Sequence, residues 1–163
     1  MIVLGIDPGT AVTGYGVVEG SGPHYTLLEC GVVRTTASVS LARRLMEIHD
    51  GVAALIARHR PAALAVEDVF YARNVRTALV LGHARGVVLL AAEQAGIAIA
   101  EYPPAEIKKA VTGTGAASKE QVQFMVAQLL RLRAAPQPSD AADGVATALT
   151  YLMSSPLRLA RIG

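Results

Sequence analysis

The stretch Ile2-Val3-Leu4-Gly5-Ile6-Asp7-Pro8-Gly9-Thr10 decides how the rest of the chain is read. It is almost wholly aliphatic until a carboxylate, and turn residues follow at once. Ile and Val favour an extended, buried backbone, Pro8 has no amide donor and Gly9 accepts unusual dihedrals, so strand pairing should stop at Asp7. An acid at the end of a buried strand either begins a turn, as Asp often does, or is kept there for chemistry. Three other acids bear on that choice. Glu67 closes a second aliphatic run, and Asp140 and Asp143 stand three residues apart at the start of the last helical segment.

Working outward, Tyr15 to Glu19 and His24 to Arg34 flank the turn cluster Gly20-Ser21-Gly22-Pro23, a hairpin signal that gives three antiparallel strands in the first 35 residues. From Ser40, the apolar positions Leu41, Leu45, Ile48, Val52 and Leu55 mark one face of a helix ending before Pro61. Ala62 to Glu67 reads as a short strand, Asp68 to Asn74 as a loop, and Val75 to Gln94 as an Ala-rich helix in which Gly82 and Gly86 leave a smooth stripe. Ile97 to Tyr102 is a strand halted by Pro103-Pro104, and Ala105 to Val111 is a short helix. After the run Thr112 to Ala117, Ser118 and Gln121 form a capping-box signature for a helix reaching about Leu132. Ser139 caps a last helix through Met153, leaving 154–163 as a tail. The strands come first as a meander and then alternate with helices. The expected fold is α/β: a five-stranded mixed sheet, three antiparallel strands then two parallel, flanked by helices on both faces. With no internal repeat or long linker, residues 1–163 are expected to form a single domain.

At 52% hydrophobic and 17% charged, without low-complexity tracts, the composition excludes a disordered chain. The apolar run Gly86 to Ala100 is broken by Glu93 and Gln94, and the amino terminus has neither a basic region nor a cleavage pattern. The expectation is a soluble, cytoplasmic protein with no membrane partner. Cys30 is alone, which excludes an internal disulfide, and His24, His49, His59 and His83 lack the paired spacing of a zinc site. The formal net charge is only +2. If Asp7, Glu67, Asp140 and Asp143 are occupied by cations, however, 15 basic residues face nine other acids, a balance of +6 that suits a polyanionic partner.

Each acid has a plain structural reading. Asp140 could complement a helix dipole, and Glu67 could be a solvated strand end. Asp143 is harder to explain this way, because it sits among Ala141, Ala142, Val145 and Ala146. Asp140 and Asp143 share a helix face. Four converging carboxylates would repel without counter-charge, and divalent cations relieve that repulsion. An all-oxygen set suits Mg²⁺, with Mn²⁺ as a substitute, rather than zinc or copper. Two such ions, about 4 Å apart, can activate water and stabilise the leaving oxygen of a phosphodiester.

Several motifs in a single order resemble the RuvC family of Holliday-junction resolvases, which have the ribonuclease-H-like fold. They are Gly5-Ile6-Asp7-Pro8-Gly9 with Thr13-Gly14-Tyr15-Gly16, Ala65-Val66-Glu67 with Val69-Phe70, Leu81-Gly82-His83-Ala84-Arg85-Gly86-Val87, Lys119 with Gln121-Val122-Gln123, and Asp140-Ala141-Ala142-Asp143. The resemblance implies that Asp7, Glu67, Asp140 and Asp143 are the catalytic, metal-binding acids of a crossover junction endodeoxyribonuclease. It also implies that Phe70 stacks on bases near the junction, as an exposed aromatic can, although a core phenylalanine fits the bare sequence as well. Lys119 would stand near the scissile phosphate, at a helix start that favours anions. Lys108, Lys109, Arg73 and Arg76 would be DNA-backbone contacts, which position without reading sequence. Members of this family are homodimers that nick opposing strands of a four-way junction and work with the RuvA–RuvB branch-migration complex.

Three other readings share features of this sequence. Gly5 to Thr10 also resembles the phosphate loop of actin-like ATPases and sugar kinases, but those need two such domains and 163 residues do not supply them. A YqgF-like nuclease shares the first strand but lacks the Phe70 and Lys119 motifs. A non-catalytic junction-binding module would have little reason to retain all four acids, and metal dependence of cleavage separates it from a nuclease.

Overall fold

The computed structural model describes residues 1–68 and 74–159, the side chains of 155–159 excepted. The strands are β1 (Ile2–Asp7), β2 (Val12–Ser21), β3 (His24–Arg34), β4 (Ala63–Glu67) and β5 (Ala98–Tyr102). The helices are α1 (Leu41–His59), α2 (Val75–Gln94), α3 (Pro104–Thr112), α4 (Lys119–Leu129) and α5 (Ser139–Leu159). They build one sheet in the order β3-β2-β1-β4-β5. The first three strands pair antiparallel, and β4 and β5 run parallel to β1 on its other side, as expected from the sequence.

The aliphatic β1 is central because it must be covered on both faces. Leu4 and Ile6 join Leu64 and Val66 of β4 in a layer with Ile48 and Val52 of α1 and Ala84 and Val88 of α2. Val3 points the other way, into a layer with Ala65 of β4, Val126 of α4 and Val145 and Leu149 of α5. Successive side chains of a strand alternate in direction. Asp7 therefore shares the face of Val3, and Glu67 shares the face of Ala65, so both acids project toward the α5 side.

Helix α5 lies directly on β1 and β2, and two glycines allow it. A Cβ at Gly5 would collide with the Gly144 carbonyl oxygen, and one at Gly14 with the Asp140 carbonyl oxygen. The helix is therefore seated with its acidic first turns at the carboxyl end of β1.

The capping box of α4 is formed: the Gln121 amide donates to Ser118 Oγ at 3.2 Å, and the Ser118 amide donates to Gln121 Oε1 at 2.7 Å. Several boundaries differ from the sequence reading, and β2 is longer than expected, Val12–Ser21 where Tyr15 to Glu19 was expected. Helix α4 stops at Leu129 rather than Leu132, because Arg131 takes a left-handed conformation (φ 54°) that a helix cannot continue through. Ser139 is the first residue of α5 instead of a cap ahead of it. Helix α5 also continues to Leu159, so residues 154–159 are helical where a tail was expected. On length and composition α2 could cross a membrane, which a reading centred on Gly86 to Ala100 missed. In this fold Ala84, Val88, Ala91 and Ala92 of α2 are buried against the protein core.

Candidate active site

The site is built where β1 ends beneath α5. Thr13, fully buried in β2, donates its hydroxyl to the Gly9 carbonyl at 2.7 Å and accepts from the Gly9 amide at 3.3 Å, which fixes the turn immediately after Asp7. Asp140 and Asp143 stand one helical turn apart on α5. Asp7, Asp140 and Asp143 each offer an oxygen, and these oxygens all lie within 4.8 Å of one another. Glu67, arriving from the neighbouring β4, is outside that trio but hydrogen-bonds Asp7. Asp7, Glu67 and Asp143 line a cleft of about 240 Å³ together with Lys108, Lys119 and the apolar side chains of Pro104, Ile107, Val122 and Ala146. All four predicted acids are thus gathered at one end of the sheet.

Their charges oppose one another. Burial, followed by the charges of Glu67, Asp143 and Asp140, pushes the Asp7 carboxyl up to about 8, against the pull of Lys119. Glu67 is also raised, by burial and then by Asp143, while Lys108, Lys119 and the hydrogen bond with Asp7 hold it back. Burial and mutual repulsion therefore favour a shared proton on this pair of carboxyls in the metal-free site. Lys119 Nζ lies 3.0 Å from Asp143 Oδ2. That bond raises the lysine pKa, and although burial opposes it, the charges of Asp143, Asp140 and Asp7 add to the rise.

The predicted DNA contacts are distributed unevenly. Lys119 and Lys108 line the cleft. Lys109 is exposed on α3 outside that lining, and Arg76 is exposed in the first turn of α2. Phe70 and Arg73 lie outside the described residues. The sequence reading did not single out the apolar wall. Its signal was a spacing of three, since Pro104–Ile107, Lys119–Val122 and Asp143–Ala146 each place two lining groups on one helix face.

This donor set fits a hard divalent cation. The candidate ligands are carboxylate oxygens throughout, and burial first, then their crowding, disfavours the charged form of Asp7. Among the described residues, no group of three or more containing His or Cys is placed to hold a metal. Such a site can hold metal with its acids and present the ammonium of Lys119 to an anionic substrate.

A mixed sheet with carboxylates gathered at the end of its central strand, under a carboxyl-terminal helix, defines a ribonuclease-H-like nuclease. The family model "Crossover junction endodeoxyribonuclease RuvC" matches residues 3–151. A relative of that description from Pelotomaculum thermopropionicum is 48% identical over 151 residues, 93% of this chain and 92% of the relative. The Thermus thermophilus RuvC structure superposes with a TM-score of 0.89 at 41% identity and 97% coverage of both chains. T. thermophilus RuvC in complex with Holliday junction substrate does so with a TM-score of 0.89 at 38% identity and 96% coverage of both. The chain belongs to the RuvC family of crossover junction endodeoxyribonucleases.

Proposed function

We propose that this chain resolves Holliday junctions, hydrolysing phosphodiester bonds in two opposing strands of a four-way DNA junction during recombination and repair. The observation that carries this reading is the convergence of Asp7, Asp140 and Asp143 within 4.8 Å, with Glu67 bonded to Asp7. Asp7, Glu67, Asp140 and Asp143 hold divalent cations, Mg²⁺ or Mn²⁺, two per site. When bound, these ions supply Lewis-acid activation of water and stabilisation of the leaving oxygen. The chain's own groups do the rest. Asp7 would serve as a ligand in its carboxylate form. Lys119 exchanges its bond to Asp143 for a phosphate oxygen, at a helix start whose free amides favour an anion. Lys108, Lys109, Arg73 and Arg76 hold the DNA backbone, and Phe70 stacks on a base beside the junction.

Cutting opposing strands calls for two sites, and α2 offers a surface to pair them. Val75, Leu79 and Leu90 are exposed apolar side chains at steps that place them in line with Gly82 and Gly86, where even an added Cβ would meet nothing within 4 Å. A second copy seated on this stripe gives the homodimer. The domain spans 1–163 and acts in the cytoplasm with the RuvA–RuvB complex.

The test is cleavage of a labelled four-way junction beside a linear duplex of the same arms, with Mg²⁺, Mn²⁺ or chelator. The expected result is paired nicks at symmetric positions, in the junction only and with metal only. Equal cutting of the duplex would remove junction selectivity, and binding without cutting in every metal would leave a non-catalytic junction binder.

A further inference from the structure

The motif Leu81 to Val87 contains a charged side chain that the site itself does not use. Arg85 Nη2 lies 2.6 Å from Glu101 Oε2 and 3.4 Å from Asp68 Oδ1, and the Arg85 side chain is only 22% exposed. Its Nε is buried and has no hydrogen-bond partner among the described residues. Both acids belong to strand ends next to the site. Asp68 directly follows Glu67, and Glu101 is paired with Val66 across the parallel ladder of β4 and β5.

Strand alternation explains the geometry. Glu67 faces α5, so the side chains on either side of it, and Glu101 in register with Val66, face the α2 layer. Arg85 meets them from that side. The Asp68 amide also donates to the Tyr102 carbonyl at 2.8 Å, which carries the ladder one residue past Glu67. Asp68 is thus held twice, by its main chain to β5 and by its side chain to α2. A partly exposed ion pair contributes little to fold stability. A rigid mount for a catalytic carboxylate is a different matter, because small displacements of such a group cost rate.

We propose that Arg85 is a positioning residue: by gripping Asp68 and Glu101 it locks the end of β4 to helix α2 and so sets the place of the Glu67 carboxylate. Arg85 precedes Gly86 of the outward stripe, so a partner seated on α2 would steady the same helix that steadies Glu67. The proposal rests on the nuclease reading of Glu67, and its test separates the two.

Arg85→Ala and Arg85→Lys are compared with wild type. The first readout is amide hydrogen exchange without metal, which is independent of cleavage. In Arg85→Ala the Asp68 amide should exchange about tenfold faster or more, while those of Val3 to Ile6 keep their protection. The second is single-turnover junction cleavage, which should fall roughly tenfold or more while junction binding in chelator stays within about twofold. Arg85→Lys restores the charge and should fall between alanine and wild type in both readouts. Unchanged Asp68 exchange with wild-type cleavage in Arg85→Ala would overturn the proposal, as would binding and cleavage that fall by the same factor. If wild type itself does not cut, the nuclease reading fails, and Asp68 exchange still decides whether Arg85 holds the strand end.

Discussion

Two acid-centred clusters, one on each face of the sheet, show what this fold spends stability on. On the α1 side Glu29 is surrounded by donors: Tyr15 donates to Oε1 at 2.9 Å, Arg58 Nη2 to the same oxygen at 2.6 Å, and His59 Nε2 lies 2.6 Å from Oε2. Burial raises the Glu29 pKa, but the bonds from His59 and Tyr15 and the charge of Arg58 together outweigh it, and the net pKa falls below the ordinary carboxylate value. At the end of β1 the proportions reverse. Asp7 is raised to about 8 by burial first and then by the charges of Glu67, Asp143 and Asp140, with Lys119 opposing. One acid with three donors ties strands β2 and β3 to α1, whereas the four-acid group has no comparable set of donors among the described residues and, on the proposed reading, takes a cation. The first cluster serves the fold, and the second, on the function proposed above, serves chemistry.

The largest expected effect breaks the second cluster. Asp7→Asn should lower junction cleavage by about a thousandfold or more, since several kcal/mol of transition-state stabilisation depend on the metal. Junction binding measured in chelator should persist if, as proposed, basic side chains and not the acids hold phosphate. A variant that cuts at the wild-type rate would remove Asp7 from the chemistry.

Breaking the first cluster should do the opposite. Glu29→Gln keeps the volume but loses the charge, so about 1 kcal/mol of stability should be lost in denaturant unfolding, a value reduced for the partial exposure of the pair. Cleavage at moderate temperature should remain at the wild-type rate. A loss of cleavage without a loss of stability would mean that the two clusters are not independent.

The smallest effect is the sharpest test of sign. The folded Asp7 carboxyl, at about 8 against an ordinary 3.8, binds its proton more tightly than the unfolded one. Its stabilising contribution is therefore complete below about 4 and is lost as pH rises toward 8. Glu29 has a lowered folded pKa, so its contribution is present above the ordinary carboxylate value and is lost as pH falls through its own. Metal-free stability measured across pH should show the first slope in wild type and not in Asp7→Asn, and the second slope should be absent only in Glu29→Gln.

The sequence made the second cluster far more legible than the first. Asp7 and Glu67 were visible because each ends an aliphatic run, and the face each points toward follows from counting by twos along its strand. Asp140 and Asp143 were visible as a helical pair. The seating of α5 was not, because it depends on the space beside Gly5 and Gly14, and a glycine in sequence does not say what approaches it. The Glu29 knot joins residues 14 to 30 positions apart, with no motif among them. Arg85 was quoted within a motif, but its partners were fixed only by the β4–β5 register. Helix ends were misjudged where a local backbone choice, the left-handed Arg131, decided the stop.

The most direct test of the central claim, that the β1-end acids are a cation site the fold bears at a cost, is paired thermal melting of wild type and Asp7→Asn in chelator and in Mn²⁺. The account predicts that Asp7→Asn melts higher than wild type in chelator at pH 8, and that Mn²⁺ raises the melting temperature of wild type well above any change in the variant. A wild type that melts higher in chelator, or an equal response of the two proteins to Mn²⁺, would contradict it.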